Sequence, residues 1–432
     1  HFKNALELIS DGLYSEYMDI GMFLAGDEKK EYDSTGLKER ASAGRLYWLR
    51  HDPDPTTEIN ERFIEHVYRV YQAEIRYTLD SPAIDGRQSE RGRALIKFGW
   101  PTNMRTTLGG GVTPTDGRVE IWSYYSPPEG FTFHFRDEFL NGNYIIPMSY
   151  AYSYSAQRLF NDPPITEIAP EQLLIPGVLD VVSFRDSDLA TSVYVAFAVD
   201  ADSLAEALWT WDIDSYVTRT AFFDITGRPE TRNADTLQAG AIPPRPGPFG
   251  NDRLVVRSFK LPFNAYLVSF CFEDERGFSQ SIHWAETNTL KYLNSSLSLS
   301  DILFESQSTA DTPAPTIVRL GEILTPNPSR AYLPSEMVAT YIEVYNLGIA
   351  GLVSDYEVTY SIHAVTGSSS RWQQIGRGMK WLLRMNSDPD PALSQTLSRT
   401  GTSHTARERI TIDIHDLDPG DYMLSILSLI HI

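Results

Sequence analysis

Four charged residues in the first third of the chain are the best candidates for joint chemistry. Glu90, Arg91 and Arg93 stand close together, and Glu120 follows in a later stretch of alternating polar and apolar residues. Two carboxylates beside arginines could form the polar site of a hydrolase that acts on carbohydrate or peptide. An internal ion-pair network explains the same residues, and we favour it because nothing nucleophilic or titrating near neutral pH stands beside them.

Other catalytic and metal-binding patterns are missing from the sequence. The nine histidines include no His-Glu-x-x-His and no pair at zinc-ligand spacing. Residues 277–281 lack the second glycine of a nucleophile elbow, and the glycines at 109–111 are not followed by the lysine of a phosphate loop. A calcium loop starting at Asp52 fails because Thr57 and Phe63 stand where glycine and glutamate are needed. We therefore predict no metal and no cofactor.

The single cysteine, Cys271, lies in the apolar run 266–272, where alternate spacing predicts a buried core residue rather than a nucleophile. The formal net charge of -20 repels phosphate backbones and anionic lipid surfaces, so we expect no nucleic-acid partner. Solubility is the preferred explanation for the excess of acidic residues, and a dedicated cation-binding surface is the alternative explanation. The length of 432 residues indicates about three domains.

The elements that would position the charged cluster are mostly helical. Apolar residues at helical spacing predict a helix over residues 1–24, a charged break, and a second helix to Leu49. We therefore expect residues 1–50 to form a helical hairpin, the end of a truncated helical region. Asp52-Pro53-Asp54-Pro55 stops that helix and starts an amphipathic helix to about Leu79. The run 94–98 predicts a short strand, and 119–125 and 130–135 predict two more. Residues 51–150 thus form a small α+β domain.

Residues in these first 150 positions, which we call the head, resemble the bacterial GWxTD-domain family. The signature is degenerate: Gly86-Arg87-Gln88-Ser89-Glu90 stands where the family has Gly-Trp-x-Thr-Asp. The resemblance implies an envelope-associated protein with no established enzymatic activity. It extends more weakly to residues 299–302 and 341–347. It also implies structural roles for the matching positions, namely Trp48, Asp52, Pro53, Asn60, Glu61, Gly86, Gly92, Gly99, Pro101 and Trp122.

Strand signals dominate the rest of the chain. We expect residues 151–176 to form a Tyr- and Pro-rich linker, 177–305 a first antiparallel β-sandwich, 306–315 a second linker, and 316–432 a second sandwich, with a truncated carboxyl end. The Pro/Gly tract 242–248 predicts an irregular loop, and 372–383 is among the predicted strands. Asp418-Pro419-Gly420-Asp421-Tyr422 is typical of immunoglobulin-like modules. The predicted fold is therefore α+β multidomain, with two immunoglobulin-like domains after the head.

No stretch approaches the roughly 18 apolar residues that span a bilayer, so no transmembrane segment is predicted. We expect a non-enzymatic structural or protein-interaction component of the bacterial cell envelope or an extracellular assembly, in the periplasm, at the outer membrane or on the cell surface, with an export signal outside this chain. A protein partner or self-association is expected. The alternatives are the hydrolase described above and carbohydrate binding by the sandwiches.

Overall fold

The computed structural model describes residues 17–80, 83–108, 117–125, 130–147, 173–200, 215–238, 244–247, 250–275, 279–293, 296–306, 315–348, 354–365 and 391–430. The chain divides into two compact units. The first comprises His1–Gln172 with Ile225–Glu230, and the second comprises Leu173–Asp224 with Thr231–Ile432. The predicted strand 372–383 and most of both predicted linkers lie outside the described residues.

The described part of the first unit contains four α-helices. They are α1 Gly26–Ser34, α2 Leu37–Arg50, α3 Glu61–Tyr77 and α4 Glu90–Phe98. The predicted first helix falls largely on residues 1–16, which are not described, and its last part is wrong because residues 18–24 form turns. The charged stretch predicted to break a helix instead starts α1, where Asp27 and Glu28 suit the positive end of the helix dipole.

Helix α4 corrects the strand predicted at 94–98. Ser89 is its N-cap, since the Ser89 hydroxyl oxygen accepts a hydrogen bond from the Gly92 amide at 3.0 Å. Gly99 ends the helix with a φ of 73°, a conformation that favours glycine. The periodicity of a short apolar run does not distinguish a helix from a strand. Here the caps at both ends of the segment favour the helix.

A three-stranded antiparallel sheet, in the order β3–β4–β5, completes the first unit. The strands of this unit are β1 Leu79–Asp80, β2 Ala83–Ile84, β3 Asn103–Leu108, β4 Arg118–Tyr124 and β5 Phe131–Asp137. The apolar face of α3, with Phe63 and Val67, shares one buried core with Leu95 of α4 and with Trp122 and Phe133 of the sheet. The strands predicted at 119–125 and 130–135 are confirmed.

Strands β6 to β14, which we call the first β module, form two sheets of the second unit, in the orders β10–β9–β13–β14–β6 and β11–β12–β8–β7. Both sheets contribute to one core, in which Val195 of β8 packs with Phe222 of β9 and Phe270 of β13. The antiparallel strands predicted within residues 177–305 are therefore present. The strands are β6 Leu173–Leu174, β7 Gly177–Arg185, β8 Thr191–Asp200, β9 Ser215–Asp224, β10 Pro229–Gln238, β11 Pro244–Gly247, β12 Gly250–Leu261, β13 Ala265–Asp274 and β14 Ser279–Asn288.

Strand β11 corrects the irregular loop predicted at 242–248. Its Pro-Arg-Pro-Gly sequence pairs antiparallel with β12 and stands at the edge of its sheet. Proline lacks an amide hydrogen and is therefore confined to edges and bulges of sheets. The edge position allows a proline-rich segment to be a strand.

Strands β15 to β23, which we call the second β module, follow a 3₁₀ turn at Leu290–Leu293. Strand β19 pairs with β15, β16 and β22 in one sheet, and the other sheet has the order β21–β20–β23. Strands β15 and β16 precede the predicted boundary at 305 but pair with β19, so the second module begins earlier than predicted. The strands are β15 Ser298–Leu299, β16 Leu303–Glu305, β17 Ile317–Arg319, β18 Glu322–Leu324, β19 Met337–Tyr345, β20 Ser354–Ala364, β21 Leu393–Gly401, β22 Thr405–Asp413 and β23 Tyr422–Ile430.

Candidate functional site

Two members of the predicted charged cluster form a closed ion pair. The Arg91 guanidinium lies 3.2 Å from a Glu120 carboxylate oxygen and donates a hydrogen bond to the Gly142 carbonyl at 3.0 Å. The guanidinium also stacks on the rings of Tyr77 and Tyr144, at 4.6 and 3.9 Å from their centroids. This pair therefore fastens α4 to the sheet.

The other two members lie apart from that pair. The Glu90 carboxylate accepts a hydrogen bond from the Ile146 amide, and burial raises the pKa of Glu90. Burial lowers the pKa of the Arg93 guanidinium, an effect that the charge of Glu90 opposes. Arg93 lines a cavity, described below, which Arg91, Glu90 and Glu120 do not line.

The family-like positions around α4 have identifiable structural roles. A Cβ atom on Gly86 would stand 2.1 Å from the Ala73 carbonyl oxygen of α3, and one on Gly92 would stand 1.8 Å from the Gly86 carbonyl oxygen. Glycine is therefore required at both positions for close packing. Ser89 lies between them as the N-cap, and Tyr124 donates a hydrogen bond to the Gly99 carbonyl.

The family-like positions around α3 are also structural. Asn60 is the N-cap: its Oδ1 accepts from the Phe63 amide at 2.7 Å and its Nδ2 donates to the Trp48 carbonyl at 2.7 Å. Asp52 accepts a hydrogen bond from the Asp54 amide in the preceding turn. Trp48 and Trp122 are buried in the core, and Glu61 is the first residue of α3. Pro53 lies between α2 and α3, and Pro101 lies between α4 and β3.

Sequence reasoning missed a polar cavity in the first unit. Its volume is about 570 Å³, and the side chains around it come from α1, α3, α4 and the turns between them. His66 of α3 and Lys97 of α4 contribute to the lining, although only 5% of His66 and 3% of Lys97 is exposed. A signal was available in the sequence, because both are polar residues among the apolar positions of their helices.

His66 is a neutral imidazole held in one orientation. Its Nε2 hydrogen-bonds to the Tyr17 carbonyl oxygen at 3.1 Å, so Nε2 is the donor and Nδ1 has a lone pair. The ring stacks on Trp48, with centroids 4.4 Å apart. Burial lowers the pKa of His66 to about 3, and the positive charges of Arg62 and Arg69 contribute to the shift.

Acid should destabilise the folded chain through His66. Because the pKa of His66 is lower in the folded chain (about 3) than its ordinary 6.5, the unfolded chain takes up the proton first as the pH falls. The stabilising contribution is complete above about pH 6.5 and is lost as the pH falls toward 3. Between pH 7 and 4.5, the loss in free energy of unfolding should be about 2.5 kcal/mol larger in the parent than in His66→Phe. Urea unfolding at the two pH values measures it.

The matched control for this prediction is His415→Phe, since His415 is exposed. We expect its pH dependence to equal that of the parent. Equal pH dependence of the parent and His66→Phe would contradict the assignment of a buried neutral histidine.

The second unit contains a buried polar junction between its two β modules. Glu343 of β19 is fully buried and receives two hydrogen bonds from Arg319 of β17, both at 2.9 Å. The hydroxyls of Tyr341 and Tyr345 donate to the same carboxylate at 3.0 and 2.8 Å. Arg319 also donates to the carbonyl of Arg185, in β7 of the first module, at 3.1 Å. The junction therefore joins the two β modules through buried charged groups that have hydrogen-bond partners.

Apolar and charged contacts extend this junction. Phe184 of β7 shares a buried cluster with Leu303 and Tyr341 of the second module. The Asp301 carboxylate accepts from the amide of Ser183, also in β7, at 2.8 Å. A rigid joint between the two modules follows from these contacts.

Among the residues that the structure describes, one strand of the second β module has an edge without a pairing partner. Strand β23 pairs with β20 on one side, and no described strand pairs with its other edge. Beside this edge lies a cleft of about 1630 Å³, and its apolar lining includes Leu299, Leu424 and Ile426. Leu427 of β23 is 65% exposed. Exposed acidic residues, namely Glu286, Asp418 and Asp421, stand around the cleft.

These features define a β-rich protein with several antiparallel sheets and few helices. Among the described residues, no helix has both the length and the apolarity that crossing a bilayer requires. A scan against protein-family models finds no match, and a search of curated proteins finds no relative.

Proposed function

We propose that this chain is a non-enzymatic protein-interaction component of the bacterial cell envelope, whose second β module accepts an extended strand from a protein partner. The observation that carries the proposal is the edge of β23 that pairs with no strand among the described residues and lies beside an apolar cleft. An unpaired edge offers a row of backbone donors and acceptors, and an incoming strand would satisfy them while its alternate side chains enter the cleft.

The composition of β23 supports a docking edge. Natural proteins protect exposed edges with charges, prolines or bulges. The strand Tyr422–Ile430 contains no charged residue and no proline, and Leu429 is 62% exposed beside Leu427. Four carboxylates and two cationic side chains line the cleft, namely Glu286, Asp301, Asp418, Asp421, Lys291 and Arg330. This excess of acidic groups favours a partner strand with lysine or arginine next to its apolar residues.

An immunoglobulin-like assignment for the second module belongs to the same proposal. The Tyr422 hydroxyl donates to the Asp418 carbonyl at 2.7 Å, four residues earlier, as in the tyrosine corner of such domains. The proposed envelope location rests on the resemblance to the GWxTD-domain family, for which the structural roles of Gly86, Ser89 and Gly92 are supporting observations.

The hydrolase alternative has less support. Arg91 and Glu120 are bonded to each other, and Trp122 also donates to Glu120. The described lining of the cavity next to Arg93 contains no serine, threonine or cysteine. With a pKa of about 3, His66 is a weak base at neutral pH.

Photo-crosslinking in a bacterium that expresses the full-length protein tests the proposal. With a photoreactive amino acid in place of Leu427, we expect one defined protein adduct whose crosslinked peptide, located by mass spectrometry, is an apolar strand next to basic residues. The same amino acid at Leu189, which is 84% exposed in the first module, should give none. Cell fractionation should place the adduct in the envelope.

Charge reversal gives the matched variants. Asp418→Lys with Asp421→Lys should reduce the adduct roughly fivefold through like-charge repulsion, whereas Asp188→Lys, beside Leu189, should leave it unchanged. An equal adduct at both crosslinking positions, an adduct only with a second copy of this chain, or a cytoplasmic adduct would each contradict the proposal.

A further inference from the structure

The side chains of β23 alternate between the cleft and the outer face of its sheet. Leu424 and Ile426 line the cleft and pack against the core of the second module. Successive residues of a strand point to opposite faces, so Leu427 and Leu429 lie on the outer face at the far end of β23, and both are exposed. A strand added to this edge would therefore place some side chains in the cleft and the others beside these two leucines.

The outer face next to the two leucines is polar. Leu427 stands opposite Thr359 of β20, and Leu429 stands opposite Glu357. The Thr359 hydroxyl is in turn hydrogen-bonded to that of Thr396 in β21 at 2.8 Å. Apolar side chains in a sheet gain stability from apolar cross-strand neighbours, and β20 offers polar ones here. An incoming strand on the other side of β23 would supply the apolar neighbours.

The start of β23 has the opposite character. Residues 413–422 contain four aspartates and no lysine or arginine, and Asp418 and Asp421 are exposed beside the cleft. The cationic side chains in the cleft lining, Lys291 and Arg330, each have a carboxylate partner at 2.6 Å. Basic side chains of a docked strand are therefore favoured at the end that meets the two exposed aspartates.

The pairing direction relates these two ends of β23 to the sequence of the partner. All described strand pairs of the second module are antiparallel, including β23 with β20. Antiparallel pairing is also slightly more stable per residue than parallel pairing. In an antiparallel pair, the amino-terminal end of the added strand meets Leu429 and its carboxyl end meets Asp421.

We propose that the docked strand runs antiparallel to β23 and has a graded sequence: apolar at every position of its amino-terminal half, apolar only at alternate positions of its carboxyl-terminal half, and basic at its carboxyl end. This inference rests on the strand-docking function proposed above and specifies the partner. In the amino-terminal half, the outward side chains pack on Leu427 and Leu429 while the inward ones enter the cleft. At the carboxyl end, lysine or arginine meets Asp421 and Asp418.

Two synthetic peptides of identical composition test the direction. The graded peptide is Val-Ile-Val-Ile-Thr-Ile-Thr-Val-Lys-Lys, and the other has the reverse sequence. Fluorescence anisotropy with the full chain should show that the graded peptide binds at least about fivefold more tightly. A photoreactive group at the amino end of the graded peptide should crosslink near Leu429, and one at its carboxyl end should crosslink near Asp421, as mapped by mass spectrometry.

The two outer leucines provide the matched variants. Leu427→Ser with Leu429→Ser should weaken binding of the graded peptide roughly tenfold, because two apolar cross-strand contacts are lost. The control is Leu189→Ser with Ile323→Ser, which changes two exposed apolar residues on other elements and should leave the affinity unchanged. Equal weakening by both double variants would overturn the role of the leucines.

The two aspartates test the charged end. Asp418→Asn with Asp421→Asn should remove most of the preference for the graded peptide over the reversed one. Equal binding of the two peptides by the parent, or crosslinks in the opposite order, would overturn the graded antiparallel strand and leave docking at this edge in place. Binding of neither peptide would overturn the graded strand together with the docking edge.

Discussion

Glu343→Gln is expected to lower the free energy of unfolding of the second unit by roughly 3–5 kcal/mol. The substitution keeps the size of the side chain but removes the charge that compensates Arg319. Burial disfavours the Arg319 cation, yet the hydrogen bonds and charge of Glu343 outweigh burial and raise the pKa of Arg319. The arginine would thus remain charged without its carboxylate, and two tyrosine hydroxyls would face a weaker acceptor.

Hydrogen exchange in urea measures this effect on the second unit alone when it is read at the amides of β19. Glu322→Gln is the control, because the Arg407–Glu322 pair is partly exposed, unlike the buried Glu343, and pairs near the surface contribute little. We expect the double variant Glu343→Leu with Arg319→Leu to recover part of the loss, since it leaves no buried charge alone. A loss below about 1 kcal/mol in Glu343→Gln would show that water reaches the junction.

Gly86→Ala should destabilise the first unit by about 3 kcal/mol or more, at the upper end of overpacking effects. The added methyl group would meet the Ala73 carbonyl oxygen at 2.1 Å and the Glu74 Cα at 2.7 Å, both backbone atoms that a rotamer change cannot move. Relief requires α3 and the turn before α4 to separate. That separation would also loosen the Gly86 carbonyl from Gly92.

Gly348→Ala is the matched control, since a Cβ there would meet nothing within 4 Å. We expect it to be neutral or slightly stabilising. Amide exchange in α3 and α4 reports on the first unit, and thermal unfolding gives the overall change. Unchanged protection of α3 in Gly86→Ala would mean that the close approach of α3 and the turn before α4 is not needed for stability.

The strands were predictable where alternation is strong. Strands such as β8 and β13 have apolar residues on a buried face, and their sequence patterns indicated them directly. Strand β21 is mostly exposed and polar, so its sequence carries no alternation of hydrophobicity, and it was missed. Strand β11 was missed because its prolines are typical of loops and only the edge of a sheet tolerates them. Helix α4 was missed because an apolar run outweighed the caps at Ser89 and Gly99.

The candidate sites were only partly predictable. Proximity in sequence drew attention to Glu90, Arg91 and Arg93, but they lie on a helix, where successive side chains point in different directions. Arg91 therefore faces the sheet, and Arg93 lines the cavity. The partners that complete the cavity, His66 and Lys29, come from other helices. No spacing rule connects such distant positions, since only tertiary packing brings them together.

The two β modules end in edges of very different chemistry. Strand β11 closes its sheet with two prolines, and a rigid ring without an amide hydrogen is a poor template for fibril growth. Strand β23 contains no proline and no charged residue that would oppose such growth. If the protein is produced in excess of the partner that occupies the cleft, aggregation should therefore begin at the second module. The need for chaperones should then rise as the supply of that partner falls.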